Sequence, residues 1–275
     1  MALASSLCWG VADFAGGFFS RRLPAAVVLL CQQVAGGLIC AAVIVATAEA
    51  LPEGRTVWIS LLAGSAGGIA LGAFYRALAL GTMSVVAPIS ASGVVVPVIV
   101  GVASGDRPTA LQAAAIPVIF AGVILASREA HEDGDRAAAS RTSILLALGA
   151  ALAFGVYFSL TDTVADDSVL WLLLLGRVAA VALLVGLLVA RPPAMRPKRP
   201  DLVALAGIGA LDLLATGLYA WATTEGLLSI VAVVGALYPI ATVLLARAVL
   251  GERLRREQQA GVALAFAGVA AVAAG

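Results

Sequence analysis

Charge is scarce in this sequence. Asp, Glu, Lys and Arg together make up 12% of it, about half the share of a water-soluble domain, so there is too little polar surface to dissolve the chain. Histidine occurs once, at His131, and cysteine three times, at Cys8, Cys31 and Cys40. His131 sits in a polar stretch beside Glu132 and Asp133 and reads as a solvated loop residue. A single histidine outside the apolar runs cannot supply a His-Glu-x-x-His zinc site or the helix-borne histidine of a rhomboid-like serine protease. The three cysteines all fall inside apolar runs, where they read as small core residues; no disulfide framework, metal or cofactor is expected. The nearest approach to a Gly-x-Gly-Asp aspartyl motif, Ala103-Ser104-Gly105-Asp106, lacks its first glycine. A Walker-type phosphate loop is missing too, which argues against ATP-driven pumping by this chain. A net charge of +1 without a basic tail gives no electrostatic reason to expect nucleic acid. No basic segment precedes the first apolar run, which is therefore expected to be a retained helix and not a cleaved signal. The alternating pattern of a membrane β-barrel is also missing.

What the chain has instead is apolar length. Hydrophobic residues make up 62% of it, and its mean hydropathy is +1.05. The apolar runs are roughly 18 to 22 residues long, enough for a helix to cross about 30 Å of hydrocarbon. Between polar or Pro/Gly breaks they predict ten transmembrane helices, near residues 2–20, 25–47, 57–79, 84–103, 109–127, 143–161, 169–190, 201–223, 228–249 and 257–274. The expected fold is all-α and polytopic. The hydrophilic stretch Arg128 to Arg141 is too polar to enter lipid and divides the helices five and five. It makes residues 128–142 a linker between a unit at 1–127 and a second at 143–275.

The two units match at an offset of about 145 residues. Trp9-Gly10-Val11 answers Phe154-Gly155-Val156, Gly81 answers Gly226, and Gly105-Asp106-Arg107 answers Gly251-Glu252-Arg253. Gln112 answers Gln258, and Ala121-Gly122 answers Ala267-Gly268. With five helices per unit the second copy starts from the opposite side of the membrane, giving an inverted repeat around a central cavity. Two units of one shape inserted in opposite directions can exchange conformations and open that cavity to each side in turn. This is a physical argument for transport.

Several of these motifs carry a resemblance. Trp9-Gly10, the run Tyr75-Arg76-Ala77-Leu78-Ala79-Leu80-Gly81, Val86-Ala87-Pro88-Ile89, and Leu250-Gly251-Glu252-Arg253 followed by Gly261 and Gly268 together resemble the EamA domain of the drug/metabolite transporter superfamily. The likeness runs through both halves, with Asp106 where the first copy would usually carry Glu. It implies a secondary transporter in the cell membrane that exports amino acids or similar amphipathic metabolites, with multidrug or toxic-compound efflux as the alternative. An intramembrane enzyme or a channel is the rival from another class. The partners implied are a small-molecule solute, the lipid bilayer and, as a candidate coupling ion, protons.

Three ionisable residues fall near the middle of a predicted span: Asp13, Arg177 and Asp212. Each costs about 2.5–3.5 kcal/mol at the bilayer centre, so all three are expected to face the bundle interior. Helical spacing places Asp13 on a face with Gly10 and Gly17, and Asp212 on one with Gly209, Thr216 and Tyr219. Those faces are expected to line the cavity. Gln32, with Gln33 beside it, is the counterpart of Arg177 in the first half. The aspartates can carry a proton or hold an amine, and Arg177 can hold a carboxylate; a fixed buried pair between Arg177 and one aspartate is the alternative. Pro88, Pro97 and Pro239 each remove a helix hydrogen bond and free a carbonyl near Ser90, Ser92 and Tyr238, as does Pro117 in the fifth span. With Tyr75, Tyr157 and Tyr219, those residues complete the candidate solute contacts. Gly64, Gly68 and Gly72 are expected to serve close helix packing. Of the 17 Lys and Arg, about 14 flank the loops after the odd-numbered helices. That bias puts both termini outside by the positive-inside rule, whereas eukaryotic relatives in the superfamily imply termini in the cytosol.

Overall fold

The computed structural model describes residues 1–126, 135–251 and 256–274, and among them there is no strand. Without water in a bilayer to satisfy N–H and C=O groups, apolar segments must satisfy their own backbone, and a helix does so within one segment. The helices are α1 (Ala2–Ser20), α2 (Ala25–Thr47), α3 (Gly54–Leu80), α4 (Met83–Ala91), α5 (Val95–Ser104) and α6 (Ala110–Ala126). They continue as α7 (Asp135–Ala165), α8 (Val169–Ala190), α9 (Arg199–Glu225), α10 (Leu228–Gly235), α11 (Tyr238–Leu250) and α12 (Arg256–Ala274). Eight helical stretches among the described residues are long and apolar enough to cross a membrane. α6, with 17 residues, and α12 pack extensively on each other.

The ten expected segments all contain helix, with three corrections. The segment at 84–103 is not continuous, because a 3-10 turn at Ser92–Val94 separates α4 from α5. The segment at 228–249 is likewise divided, with Ala236 and Leu237 between α10 and α11. Proline explains both breaks: Pro97 has no N–H for the Gly93 carbonyl and Pro239 none for that of Gly235, so the helix tightens or stops there. Pro88 lies inside α4 without ending it. Finally, α7 begins at Asp135, so the later part of the expected linker is its first turns. His131 lies outside the described residues.

The halves interlock through contacts that recur at the same offset as the sequence motifs. α1 packs on α9 and α11, while α7 packs on α3, α4 and α5. A Cβ placed on Gly10 would lie 2.4 Å from Ala241 Cβ and 2.6 Å from the Tyr238 carbonyl oxygen. One placed on Gly155 would lie 2.6 Å from Val96 Cβ and 2.7 Å from the Gly93 carbonyl oxygen. Only glycine admits these approaches. α2 packs on α8 between the two halves, and α3 meets α8 where a Cβ on Gly64 would sit 2.1 Å from the Gly176 oxygen.

Polar contacts gather at the two ends of the bundle. At the end where α1 begins, the Asp106 carboxylate accepts the Ser229 N–H at 2.8 Å, joining the loop after α5 to the start of α10. There too Thr56 donates to Asp167 and Ser168 to Glu49. Trp171 donates its indole N–H to the Glu49 carbonyl at 3.4 Å, while Trp58 and Trp221 stand exposed at the same level, as tryptophan does at a membrane interface. At the opposite end, Arg22 pairs with Asp201 at 2.9 Å and lies over the Phe19 ring.

Candidate functional site

Midway along the helices lies a cavity. α1 contributes Trp9 and Asp13, α2 contributes Gln33, and α3 contributes Gly64, Gly67, Gly68 and Leu71. Phe154, Tyr157 and Phe158 come from α7, Leu172, Leu173, Gly176 and Arg177 from α8, Asp212 and Thr216 from α9, and Tyr238 from α11. Both halves of the chain therefore build it. Five of the lining residues are aromatic, and Phe158 stacks on Phe154 at 6.0 Å between ring centroids and meets Trp9 at 5.4 Å and Tyr157 at 5.2 Å.

The three ionisable residues expected inside the bundle all line this cavity, and each is at least 94% buried as a residue, with exposures of 5% for Asp13, 6% for Arg177 and 5% for Asp212. Arg177 Nη2 donates to Asp212 Oδ2 at 3.0 Å, and its Nη1 donates to the Leu173 carbonyl at 3.3 Å. Its Nε has no partner and lies against Gly36, where a Cβ would approach it to 2.7 Å. Asp13 is different. It accepts no hydrogen bond from any described residue, and the nearest like charge acting on it is Asp212. The cavity thus holds two carboxylates and one guanidinium, and the guanidinium is committed to Asp212.

Each charged residue has a neutral counterpart in the other half at the 145-residue offset. Phe158 answers Asp13, Gly67 answers Asp212, and Gln32 answers Arg177. The packing of the halves is matched while their charges are not.

Among the other candidate residues, Tyr157 and Tyr238 line the cavity and five do not. Tyr75 is fully buried behind it and donates its hydroxyl to Gln32 Oε1 at 3.0 Å. Tyr219 packs against Trp9 and Phe158 with its hydroxyl unpartnered. Ser90 donates to the Ala147 carbonyl at 3.4 Å, and Ser92 to that of Ile89 at 2.7 Å; both hydroxyls are spent on backbone. Gln32 is held by Tyr75, and it is Gln33, one residue on, that reaches the cavity with its Oε1 unpartnered. Gly10, Gly17 and Gly209, expected to line the cavity, instead serve close packing, Gly209 against the Gln32 backbone. Gly64 and Gly68 do pack closely on α8, and they also line the cavity. Trp9, Phe154, Phe158 and Thr216 complete its wall; only Thr216 carries a mid-span polar signal that sequence spacing picks out. Cys8, Cys31 and Cys40 are free thiols.

Long apolar helices packed around a central, partly charged cavity are the architecture of a multi-pass membrane protein. Comparison with known proteins makes this more specific. Residues 1–128 and 141–274 each match the EamA-like transporter family. The chain belongs to that family, and so to the drug/metabolite transporter superfamily. A search of curated proteins finds no match. Among solved structures, a crystal structure described only as that of a protein is similar in fold, with a TM-score of 0.76, 16% identity and 98% of each chain covered.

Proposed function

We propose that the protein is a proton-coupled secondary transporter of the cell membrane that exports small amphipathic metabolites by alternating access. On this reading ten helices span the bilayer as two inverted five-helix units, residues 1–127 and 143–275, joined by a linker at 128–142. The observation that carries the proposal is the cavity between the halves, in which an ion pair and an unpartnered carboxylate sit at mid-membrane depth. Such groups are too costly to bury in a bilayer without a use. The reading is also supported by the matched contacts of Gly10 and Gly155, which give the two units equivalent ways of packing on each other.

In this scheme the Arg177–Asp212 pair holds α8 to α9 through the cycle, and Asp13 is the group that takes up a proton from one side and yields it to the other. Protonation of Asp13 leaves the lining without a net charge, which lets the empty site pass through the membrane interior at less cost. No group in the scheme makes or breaks a covalent bond to the solute, and the protein acts as a carrier and not as an enzyme.

The test is comparative metabolite profiling of cells with and without the protein, followed by flux of the altered compounds in proteoliposomes. A saturable, pH-gradient-driven flux that Asp13→Asn abolishes is expected. Non-saturable flux would indicate a channel, and uphill accumulation undiminished in Asp13→Asn would remove Asp13 as the coupling group.

A further inference from the structure

Two of the residues lining the cavity offer unmet acceptors. Asp13 offers carboxylate oxygens that no described residue engages, and Gln33, which also lines the cavity, has an unpartnered Oε1. Both are acceptors. The one cationic donor in the wall, Arg177, is engaged by its own neighbours, with Nη2 on Asp212, Nη1 on Leu173 and the unpartnered Nε packed against Gly36, while the unpartnered Tyr238 hydroxyl is a neutral group. With all three groups ionised the lining carries a net charge of −1, so a bound anion would be repelled. A zwitterion could place its amine on Asp13 but would find no free cation for its carboxylate. Around these acceptors stand Trp9, Phe154, Tyr157 and Phe158, whose ring faces attract both apolar bodies and cations.

We infer that the site takes a primary or secondary ammonium carried on an aromatic or similarly apolar body, with the ammonium on Asp13 and Gln33 and the body against the aromatic wall. This deepens the transport reading above and rests on it. One carboxylate then serves both proton and substrate, and the two exclude each other. Binding of the amine displaces the proton from Asp13, and protonation of Asp13 releases the amine, which by itself couples the two fluxes in opposite directions. The groups facing Asp13 from neighbouring elements are Asp212 on α9 with its partner Arg177 on α8, Tyr75 on α3 and Tyr238 on α11. Since Arg177 and Asp212 neutralise each other and the tyrosines are uncharged when protonated, Asp13 is the charge that the ligand reads.

The experiment uses the full chain purified in lipid nanodiscs and four probes with one benzene ring: 2-phenylethylamine, 3-phenylpropanoate, 2-phenylethanol and phenylalanine. Calorimetry gives affinity, and a pH indicator in weakly buffered solution gives protons released. The amine is expected to bind best, with affinity falling up to tenfold for each unit of acidification while releasing a proton from the protein. Asp13→Asn should weaken amine binding at least tenfold and abolish release; Asp13→Glu should keep both, which separates lost chemistry from lost folding. Tighter binding of the propanoate or of phenylalanine, amine binding without proton release, or no binding by any probe would overturn the assignment. The carrier reading is judged separately, since gradient-driven flux of an anion or zwitterion in the proteoliposome assay would uphold it while ending the ammonium proposal.

Discussion

Taking Arg177 and Asp212 out of water costs several kcal/mol per ion, which their mutual attraction offsets only while both are present. Their 3.0 Å contact at under 10% side-chain exposure therefore predicts a strongly non-additive pair. Asp212→Ala should lower stability by about 3–5 kcal/mol, because it leaves the guanidinium buried without its partner. The double variant Arg177→Gln, Asp212→Asn should recover most of the loss, since glutamine already occupies the equivalent position in the first half. Thermal unfolding in detergent measures both, and a single variant that melts like the parent would show the pair to be energetically idle. These charged residues were legible from sequence because mid-membrane charge is too expensive to face lipid. The serines were not: a hydroxyl in a helix can satisfy itself on a nearby carbonyl, as Ser92 does on Ile89, so its presence says little about water. Gln32 and Gln33 differ by about 100° around α2, and a pattern read to within one residue cannot choose between them. Aromatic wall residues such as Phe154 look, in sequence, like any lipid-facing side chain.

Between elements, the decisive residues are the glycines at which backbones touch. Gly10→Val and Gly155→Val are expected to destabilise by similar amounts, about 1–3 kcal/mol or more, because each drives a branched side chain into a carbonyl and a Cβ at equivalent crossings. Gly149→Ala and Gly207→Ala meet nothing within 4 Å and should be neutral or slightly stabilising, alanine being the better helix former. Unfolding midpoints for the four variants check this, and a large difference between the Gly10 and Gly155 variants would count against equivalent packing of the halves. Hydropathy located the segments well because a span must be both long and apolar. It missed the divisions after Ala91 and Gly235 because a proline inside an apolar run can kink a helix, tighten it or stop it. Pro88 is accommodated within α4 while Pro97 and Pro239 accompany breaks, and the neighbouring helices decide which outcome holds.

For the molecule as a whole, the end at which α1 begins is acidic, with Glu53, Asp166, Asp167 and Glu225 against Arg55 and Arg107, and the opposite end carries Arg21, Arg22, Arg191, Arg196, Lys198 and Arg199. The positive-inside rule predicts that the second end faces the cytosol. In a background lacking Cys8, Cys31 and Cys40, a cysteine at Arg107 or Glu225 should react with a membrane-impermeant thiol reagent on intact cells, whereas one at Arg196 should react only after lysis. The reverse pattern would invert the orientation, and equal labelling of all three would break the spanning arrangement. The mismatch of Asp13 with Phe158, Asp212 with Gly67 and Arg177 with Gln32 has a consequence for how such a carrier turns over. If its two access states arise by exchange of shape between the halves, a symmetric lining would make them equal in energy. Here the charged groups meet different surroundings in each, so the empty carrier should dwell longer facing one compartment, and half-saturating solute concentrations measured from the two sides should differ.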